Sequence, residues 1–191
     1  MNILKPQKIK FNESENIDLI NMDRDEDIEH CKFSNIKMQN GEIENATFRD
    51  VVFENCDFSN TKFIENTFIR CEFNNCKLTG CNFIENVLFD IGFIDSNMGY
   101  ANISMSNLRG IFFNNTSIRS GSLQENKVKN INFKEADLTG TQFFKTSLNG
   151  IDLSNSNIDQ IAVSLEDIRG AKINQMQAID LMYLLGVKVV E

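Results

Sequence analysis

A large apolar residue recurs at every fifth position from Phe33 to Ile173. The 29 positions of this central series hold only Phe, Leu, Ile, Met or Val, and the register never breaks. Neither the period of a helix, about 3.6 residues, nor that of a strand, about two, produces a strict period of five. The pattern therefore predicts a chain that turns a corner with every repeat.

A second series, the inner series, lies two positions before the central series, and most of its members are small. The small members are Cys31, Ala46, Cys56, Thr61, Cys71, Cys76, Cys81, Ser96, Ala101, Ser106, Thr116, Ala136, Thr141, Thr146, Ser156 and Ala171. Several others are β-branched: Ile36, Val51, Ile91, Ile111, Ile131, Ile151 and Ile161. One large and one small inward residue in every repeat predict a narrow, continuous core in which each layer packs on the next.

Individual repeats resemble the pentapeptide-repeat family, whose pattern is a small residue, a polar residue, Leu or Phe, and two variable residues. The matching segments are CDFSN (56–60), CEFNN (71–75), ADLTG (136–140) and TSLNG (146–150). The resemblance covers roughly residues 28–173 and implies an all-β fold, a right-handed quadrilateral parallel β-helix with four repeats in each square coil. We expect about seven coils, which at the usual strand spacing make a rod of about 35 Å.

Sorting the chain in steps of four repeats supports this coil length. One face then holds a column of six phenylalanines: Phe33, Phe53, Phe73, Phe93, Phe113 and Phe133. Two positions after them, at a corner, Asn recurs at 35, 55, 75, 115 and 155, which predicts an Asn ladder. Gly80, Gly110, Gly140, Gly150 and Gly170 occupy the same corner position of their repeats, where a positive φ is useful.

The two ends depart from the repeat. Residues 1–27 precede the register and are predicted to form an irregular N-terminal coil or cap, residues 28–173 the rod, and residues 174–191 a C-terminal helix and strand. Asn174 is a good N-cap for a helix from Gln175 to Leu185, and Gly186 suits its end. The next residues, Val187, Val189 and Val190, predict a short strand.

This C-terminal helix is apolar nearly all round, so one rod end covers only part of it. The segment 177–190 also resembles the dimerising tail of the Qnr- and MfpA-type pentapeptide-repeat proteins. We therefore expect a homodimer, with a hydrophobic plug on a single rod as the alternative. The predicted interface consists of Met176, Ile179, Leu181, Met182, Leu184, Leu185, Val187 and Val189.

The charge of the chain limits the classes of partner that it is expected to bind. The formal net charge is −8, of which residues 1–30 contribute −4. An acidic chain without basic clusters is not expected to bind nucleic acid directly, because such binding neutralises phosphates with Lys and Arg. The sequence shows neither a transmembrane stretch nor a signal peptide, so we expect a bacterial cytoplasmic protein that does not bind membranes.

The residue types that could carry catalysis, Cys and His, occupy positions set by the repeat. All five Cys belong to the inner series, which predicts buried, reduced thiols and no zinc site. His30, the single His, lies at an outward corner beside the inward Cys31, so the two do not face one site. We therefore predict no enzyme activity, no metal and no cofactor.

A group of outward residues is the candidate partner-binding site. Ile64 and Ile84 follow their central residues on one face, and Ile69 and Phe89 do so on the next, followed by Ile94. The acids beside them are Glu65, Glu85, Asp90 and Asp95. A contiguous apolar patch indicates contact with a partner. Solvated charge beside partly covered wall residues is the alternative.

Two functions remain open. The resemblance to Qnr- and MfpA-type proteins implies a DNA mimic that occupies the DNA-binding saddle of a type II topoisomerase, DNA gyrase or topoisomerase IV, and inhibits it or protects it from quinolones. The unbroken register resembles the loopless MfpA-type arrangement, which implies gyrase binding more than drug protection. The alternatives are a scaffold for an unrelated partner or immunity to a peptide antibiotic that targets gyrase.

Overall fold

The computed structural model describes residues 12–13 and 26–187, which form a parallel β-solenoid followed by a short helical segment. The strands are β1 (Asn12–Glu13), β2 (Asp27–Glu29), β3 (Cys31–Ser34), β4 (Glu42–Glu44), β5 (Thr47–Arg49), β6 (Val52–Glu54), β7 (Lys62–Ile64), β8 (Thr67–Ile69), β9 (Glu72–Asn74), β10 (Asn82–Ile84), β11 (Val87–Ile94), β12 (Asn102–Ser104), β13 (Asn107–Asn114), β14 (Ser122–Gln124) and β15 (Lys127–Lys134). No helix in this part of the chain is long and apolar enough to cross a membrane.

The strands stack as four faces around one core. Face 1 contains β1, β3, β6, β9 and the second halves of β11, β13 and β15, while face 4 contains β2, β5, β8 and the first halves of the same long strands. Because those three strands turn the corner between them, both faces belong to one ten-stranded sheet. Face 3 is a five-stranded sheet of β4, β7, β10, β12 and β14. Face 2 is held by single bridges, such as Lys37 to Asp57 and Asp57 to Lys77.

Neighbouring strands pair at a spacing of four repeats, as the sequence predicts. Phe53 lies beside Phe73, and Leu88 lies beside Leu108. The exception is β1, where Asn12 pairs with Cys31 at an offset just short of a full coil.

The strands make about five turns, as the five-stranded sheet of face 3 shows, whereas the sequence predicts about seven coils. After β15 the stacking continues through isolated bridges, such as Gln142 to Ala162 and Asp152 to Lys172. Tight turns follow one another closely in this part of the chain and leave only one bridged residue on a face. Strands of several paired residues therefore do not form.

The core is a column of stacked side chains. On face 1 the rings of Phe53 and Phe73 lie 4.7 Å apart, and the next steps, from Phe73 through Phe93, Phe113 and Phe133, are each 5.1 Å. Their planes are tilted by at most 17°. Phe33 stacks on Phe53 at 5.5 Å, so the predicted six-ring column is confirmed, and it gives the rod a continuous aromatic core.

Corners use the left-handed backbone conformation. Nearly every corner position has a positive φ, from 49° at Asn115 to 81° at Gly170. Asn tolerates this region better than most residues, and its side chain also bridges coils, since Asn75 Nδ2 donates to Asn55 Oδ1 at 2.6 Å. Of the predicted Asn ladder, Asn55 and Asn75 are thus in direct contact, whereas Asn115 Nδ2 donates to Asp95 Oδ1 at 2.8 Å.

The C-terminal end begins with α1 (Gln175–Asp180) and continues as a 3₁₀ helix over Leu181–Leu185. Asn174 caps α1, because its Oδ1 accepts from Gln177 N and its own N donates to Gln177 Oε1. Gln177 is buried, and its Nε2 donates to the carbonyls of Leu153 and Ser156 at 2.9 and 2.8 Å. This side chain therefore covers backbone acceptors at the end of the rod.

The predicted strand is not seen where the structure can test it. Gly186 ends the helical segment with a φ of 69°, and Val187 belongs to no strand. Val189 and Val190 lie outside the described residues, as does most of the predicted N-terminal cap.

Candidate protein-interaction surface

Glu65 and Glu85 occupy one corner column, one coil apart, and both are exposed. Asp90 lies at the following corner and Asp95 at the one after it. Within residues 26–187, none of these four carboxylates forms an ion pair, although Asp95 Oδ1 accepts a hydrogen bond from Asn115 Nδ2 at 2.8 Å. The middle of the rod therefore carries exposed carboxylates that no ion pair neutralises.

The apolar part of the predicted site is divided among three faces. Ile64 and Ile84 pair on face 3, Ile69 and Phe89 pair on face 4, and Ile94 lies on face 1. All five are half-buried. Because corners separate the faces, the structure brings Ile64 and Ile84 together with Glu65 and Glu85 but places Phe89 and Asp95 on other sides of the rod.

Other exposed apolar side chains escaped the sequence prediction. Tyr100 is 70% exposed and Met105 is 50% exposed, and they occupy consecutive corners with φ of 60° and 53°. Val87 is exposed beside Phe89 on face 4. The pentapeptide register marks Tyr100 and Met105 as corner residues, so the signal for their exposure is present in the sequence.

Many other acids are paired between coils. Asp50 is only 7% exposed, and Arg70 donates to its two oxygens at 2.5 and 2.6 Å. These hydrogen bonds, with the charge of Arg70, hold the pKa of Asp50 below its ordinary value. Glu125, which shares the corner column of Glu85, pairs with Lys145 at 3.0 Å. Asp50 is therefore a buried acid paired with Arg70, unlike the exposed acids of the predicted site.

The cysteines are buried and unpaired, as predicted. Burial raises the pKa of Cys71 and of Cys81 to about 12, which keeps both thiols protonated at neutral pH. Cys81 Sγ donates to the Phe58 carbonyl at 2.8 Å. The exposed His30 lies beside Asp50, with 3.7 Å between Nδ1 and Oδ2. Among the described residues no cluster of His, Cys, Asp or Glu is suited to a metal ion.

Three cations on face 4 form a basic cluster that the sequence prediction excluded. Lys127 and Lys129 flank Val128 on one strand, and Lys129 pairs directly with Arg109 of the preceding coil. Because Arg109 precedes Lys129 by a full coil, a count of charges along the chain does not reveal the cluster until the coil length is applied.

The C-terminal segment presents two sides. Leu181 and Leu184 pack against the core of the rod. Met176 is 69% exposed and Leu185 is 62% exposed, and Ile179 and Val187 are also exposed. Met182 is half-buried. The rod end thus covers part of the predicted dimer interface and leaves the remainder open, while Val189 lies outside the described residues.

Two family models match this repeat architecture. A model of the pentapeptide repeat region matches residues 66–143, and a model of pentapeptide repeats, in eight copies, matches residues 46–83. Together they span residues 46–143, just over half of the chain. The chain belongs to the pentapeptide-repeat family. The matches indicate no enzyme family. No curated protein matches the chain.

Solved structures of this family include similar chains. Full-length QnrB1, a plasmid-mediated fluoroquinolone resistance protein, is 20% identical, and the alignment covers 82% of this chain and 100% of that one, with a TM-score of 0.36. HetL of Nostoc sp. strain PCC 7120, involved in heterocyst differentiation regulation, is 15% identical over 79% and 84%, with a TM-score of 0.32. A thylakoid lumen protein of Arabidopsis thaliana is 12% identical over 84% and 77%, with a TM-score of 0.22. Likenesses at this level assign no partner to the present chain.

This pentapeptide-repeat core contains buried amides that the sequence prediction overlooked. The inner series also includes Asn66, Asn86 and Asn126, all buried. Asn86 Nδ2 donates to the Phe63 carbonyl at 2.8 Å, and its Oδ1 accepts from Asn66 N, also at 2.8 Å. Each such amide satisfies backbone groups of the coil beneath it, which explains why a polar residue is accepted at an inward position.

Proposed function

We propose that this chain is a non-enzymatic protein that binds a bacterial type II topoisomerase, DNA gyrase or topoisomerase IV, in place of DNA. The observation that carries the proposal is the corner column of Glu65 and Glu85, exposed and without an ion-pair partner among the described residues. Unpaired negative charge along a narrow rod attracts a positively charged DNA-binding surface. Family membership supports a role in protein interaction, and such a partner places the protein in the bacterial cytoplasm.

The negative charge of this chain imitates that of duplex DNA only in part. Duplex DNA carries one charge per about 1.7 Å, so a length of about 35 Å carries about 20 charges. The chain has a formal net charge of −8. We therefore expect its binding to weaken less steeply with added salt than the binding of DNA does.

We further propose a homodimer through the C-terminal segment, because Met176 and Leu185 are exposed apolar residues on the side that faces away from the rod. The wild-type chain is expected to sediment at twice the mass of one chain. Leu185→Glu places a charge in the interface and is expected to give single chains. The matched control is Met105→Glu, another exposed apolar residue, which should leave the dimer intact. A wild-type chain that sediments as a monomer at every concentration would contradict the dimer.

The topoisomerase proposal is tested in a gyrase supercoiling assay with the purified protein, with and without ciprofloxacin. We expect inhibition of supercoiling by the wild type. The variant E65K/E85K should need about tenfold more protein for the same inhibition, because an exposed charge pair contributes a few tenths to about 1 kcal/mol and reversal turns attraction into repulsion. Rescue of supercoiling in the presence of the drug would assign protection as well as binding.

The control makes the same change in charge elsewhere on the rod. Asp159 and Glu166 are exposed acids of the later coils. D159K/E166K should inhibit like the wild type if the corner column makes the contact. Equal loss of inhibition in both variants would mean that net charge alone matters, and unchanged supercoiling with every protein would refute the topoisomerase assignment.

A scaffold for an unrelated protein partner is the second candidate. Tyr100 favours it, because this residue is large, exposed and outside the corner column of Glu65 and Glu85. Met105 is also exposed but lies within that column, between Glu85 and Glu125. Aromatic and Met side chains are enriched in protein interfaces, where charged residues are depleted at the centre. Unchanged supercoiling together with capture of another protein that depends on Tyr100 would support this candidate.

A further inference from the structure

Face 4 changes character along the rod. After the ion pair of Glu29 and Arg49 on its first two strands, it carries apolar outward residues, with Ile69 on β8 and Val87 and Phe89 on β11. The next two coils carry Arg109 and then Lys127 and Lys129. We call the six residues Ile69, Val87, Phe89, Arg109, Lys127 and Lys129 the basic-apolar face. Because the coils stack directly, the apolar and basic parts form one continuous strip.

Two of the three cations of this strip stand directly opposite each other. Several other cations stack on an acid of the preceding coil, as in the pair Glu29–Arg49 at the start of face 4 and the pair Glu42–Lys62 on face 3, at 2.8 and 3.0 Å. On the basic-apolar face Arg109 pairs across the sheet with Lys129 instead. Within residues 26–187, neither of them nor Lys127 forms an ion pair with a carboxylate. Like charges on directly opposed residues repel each other, and no carboxylate in an ion pair offsets the repulsion between Arg109 and Lys129 within residues 26–187.

Arg109 connects the two parts of the strip. Its guanidinium lies 5.0 Å from the centre of the Phe89 ring, which holds the cation over the apolar surface. Phe89 remains half-buried and Val87 remains exposed beside it. A ligand that contacts the ring therefore also meets the guanidinium.

We propose that the basic-apolar face binds an acidic segment of a partner protein that also carries apolar side chains. Carboxylates of the segment would offset Arg109, Lys127 and Lys129, and its apolar side chains would cover Val87 and Phe89. This inference does not depend on the topoisomerase proposal, which concerns the acidic corners.

The surroundings favour a protein segment over a nucleic acid. The exposed carboxylates of Glu85 and Asp90 stand at the two corners that border the Val87–Phe89 stretch. A phosphate backbone that followed the face would pass between them and be repelled, in a protein whose formal net charge is −8. A short segment can place its acids over the cations and its apolar side chains over the ring.

The test uses a fluorescein-labelled peptide of alternating Glu and Leu as the probe, with binding followed by fluorescence anisotropy. We expect saturable binding to the full chain that weakens as salt is added. K127E/K129E is expected to weaken binding about tenfold. Each exposed ion pair with the peptide contributes a modest free energy, but the two substitutions turn two attractions into repulsions. The matched control is K37E/K77E, which makes the same charge change on face 2, and it should bind like the wild type.

Further arms separate the apolar and polyanion contributions. Phe89→Ser should weaken the Glu-Leu peptide but not polyglutamate, which has no apolar side chains. Thermal unfolding of each variant confirms that it folds. Absence of saturable binding, equal weakening by K127E/K129E and K37E/K77E, or preferential binding of duplex DNA over the peptide would each overturn the proposal.

Discussion

Phe73→Ala is expected to lower the free energy of unfolding by about 3–5 kcal/mol, the usual cost of removing a fully buried aromatic side chain. Phe73 is 0% exposed and stacks on the rings of Phe53 and Phe93, at 4.7 and 5.1 Å. Its edge contacts with Phe58 and Phe83, at 6.4 and 6.2 Å, tie the column to two other faces. Urea unfolding followed by circular dichroism measures the loss.

The control is Phe112→Ala, since Phe112 is a phenylalanine of the same face that points outward and is half-buried. We expect it to cost about 1 kcal/mol or less. Hydrogen exchange should show that Phe73→Ala loosens the adjacent coils most, because each coil contacts only its neighbours. Equal costs for the two substitutions would contradict the aromatic column as the source of stability.

Asn86→Leu is the second large effect that we expect. The substitution removes the donor to the Phe63 carbonyl and the acceptor of Asn66 N, and an unsatisfied buried group costs about 1–3 kcal/mol. The expected loss, with both groups left unsatisfied, is therefore about 2–6 kcal/mol, even though the change makes the side chain more apolar. Urea unfolding again gives the value.

Two companion variants isolate the amide. Asn86→Ser should lose less than Asn86→Leu, because a hydroxyl at the inner position can donate to the same kind of carbonyl, as Thr116 Oγ1 does to Phe93 at 2.9 Å. Asn107→Leu alters an exposed Asn on the same face and should change stability by less than about 0.5 kcal/mol. A stabilising effect of Asn86→Leu would show that the buried hydrogen bonds contribute nothing.

The sequence alone predicts most of the fold because the repeat constrains every residue in the same way. A large residue at every fifth position defines the inward direction, and the Phe33 to Phe133 column defines the coil length. The number of turns formed by strands is less predictable. It depends on whether the tight turns at the corners leave room for a run of paired residues between them. From Thr141 to Val163 they leave no such room.

The interaction surface is predicted less completely, for reasons of geometry. The sequence identifies Glu65 and Glu85 as corner residues but does not show that Asp50 is covered by Arg70. It groups Ile64 with Phe89 by their position after a central residue, although a corner separates their faces. The cluster of Arg109 and Lys129 appears only when residues one coil apart are placed side by side.

The most direct test of the proposed function is a competition between this chain and duplex DNA for the same topoisomerase. A fluorescent duplex is bound to gyrase, and the unlabelled chain is titrated in while the anisotropy of the DNA is followed. We predict complete release of the DNA by the wild type and about tenfold weaker competition by E65K/E85K. A ternary complex, in which gyrase holds the chain and the DNA at the same time, would contradict the claim that this rod takes the place of DNA.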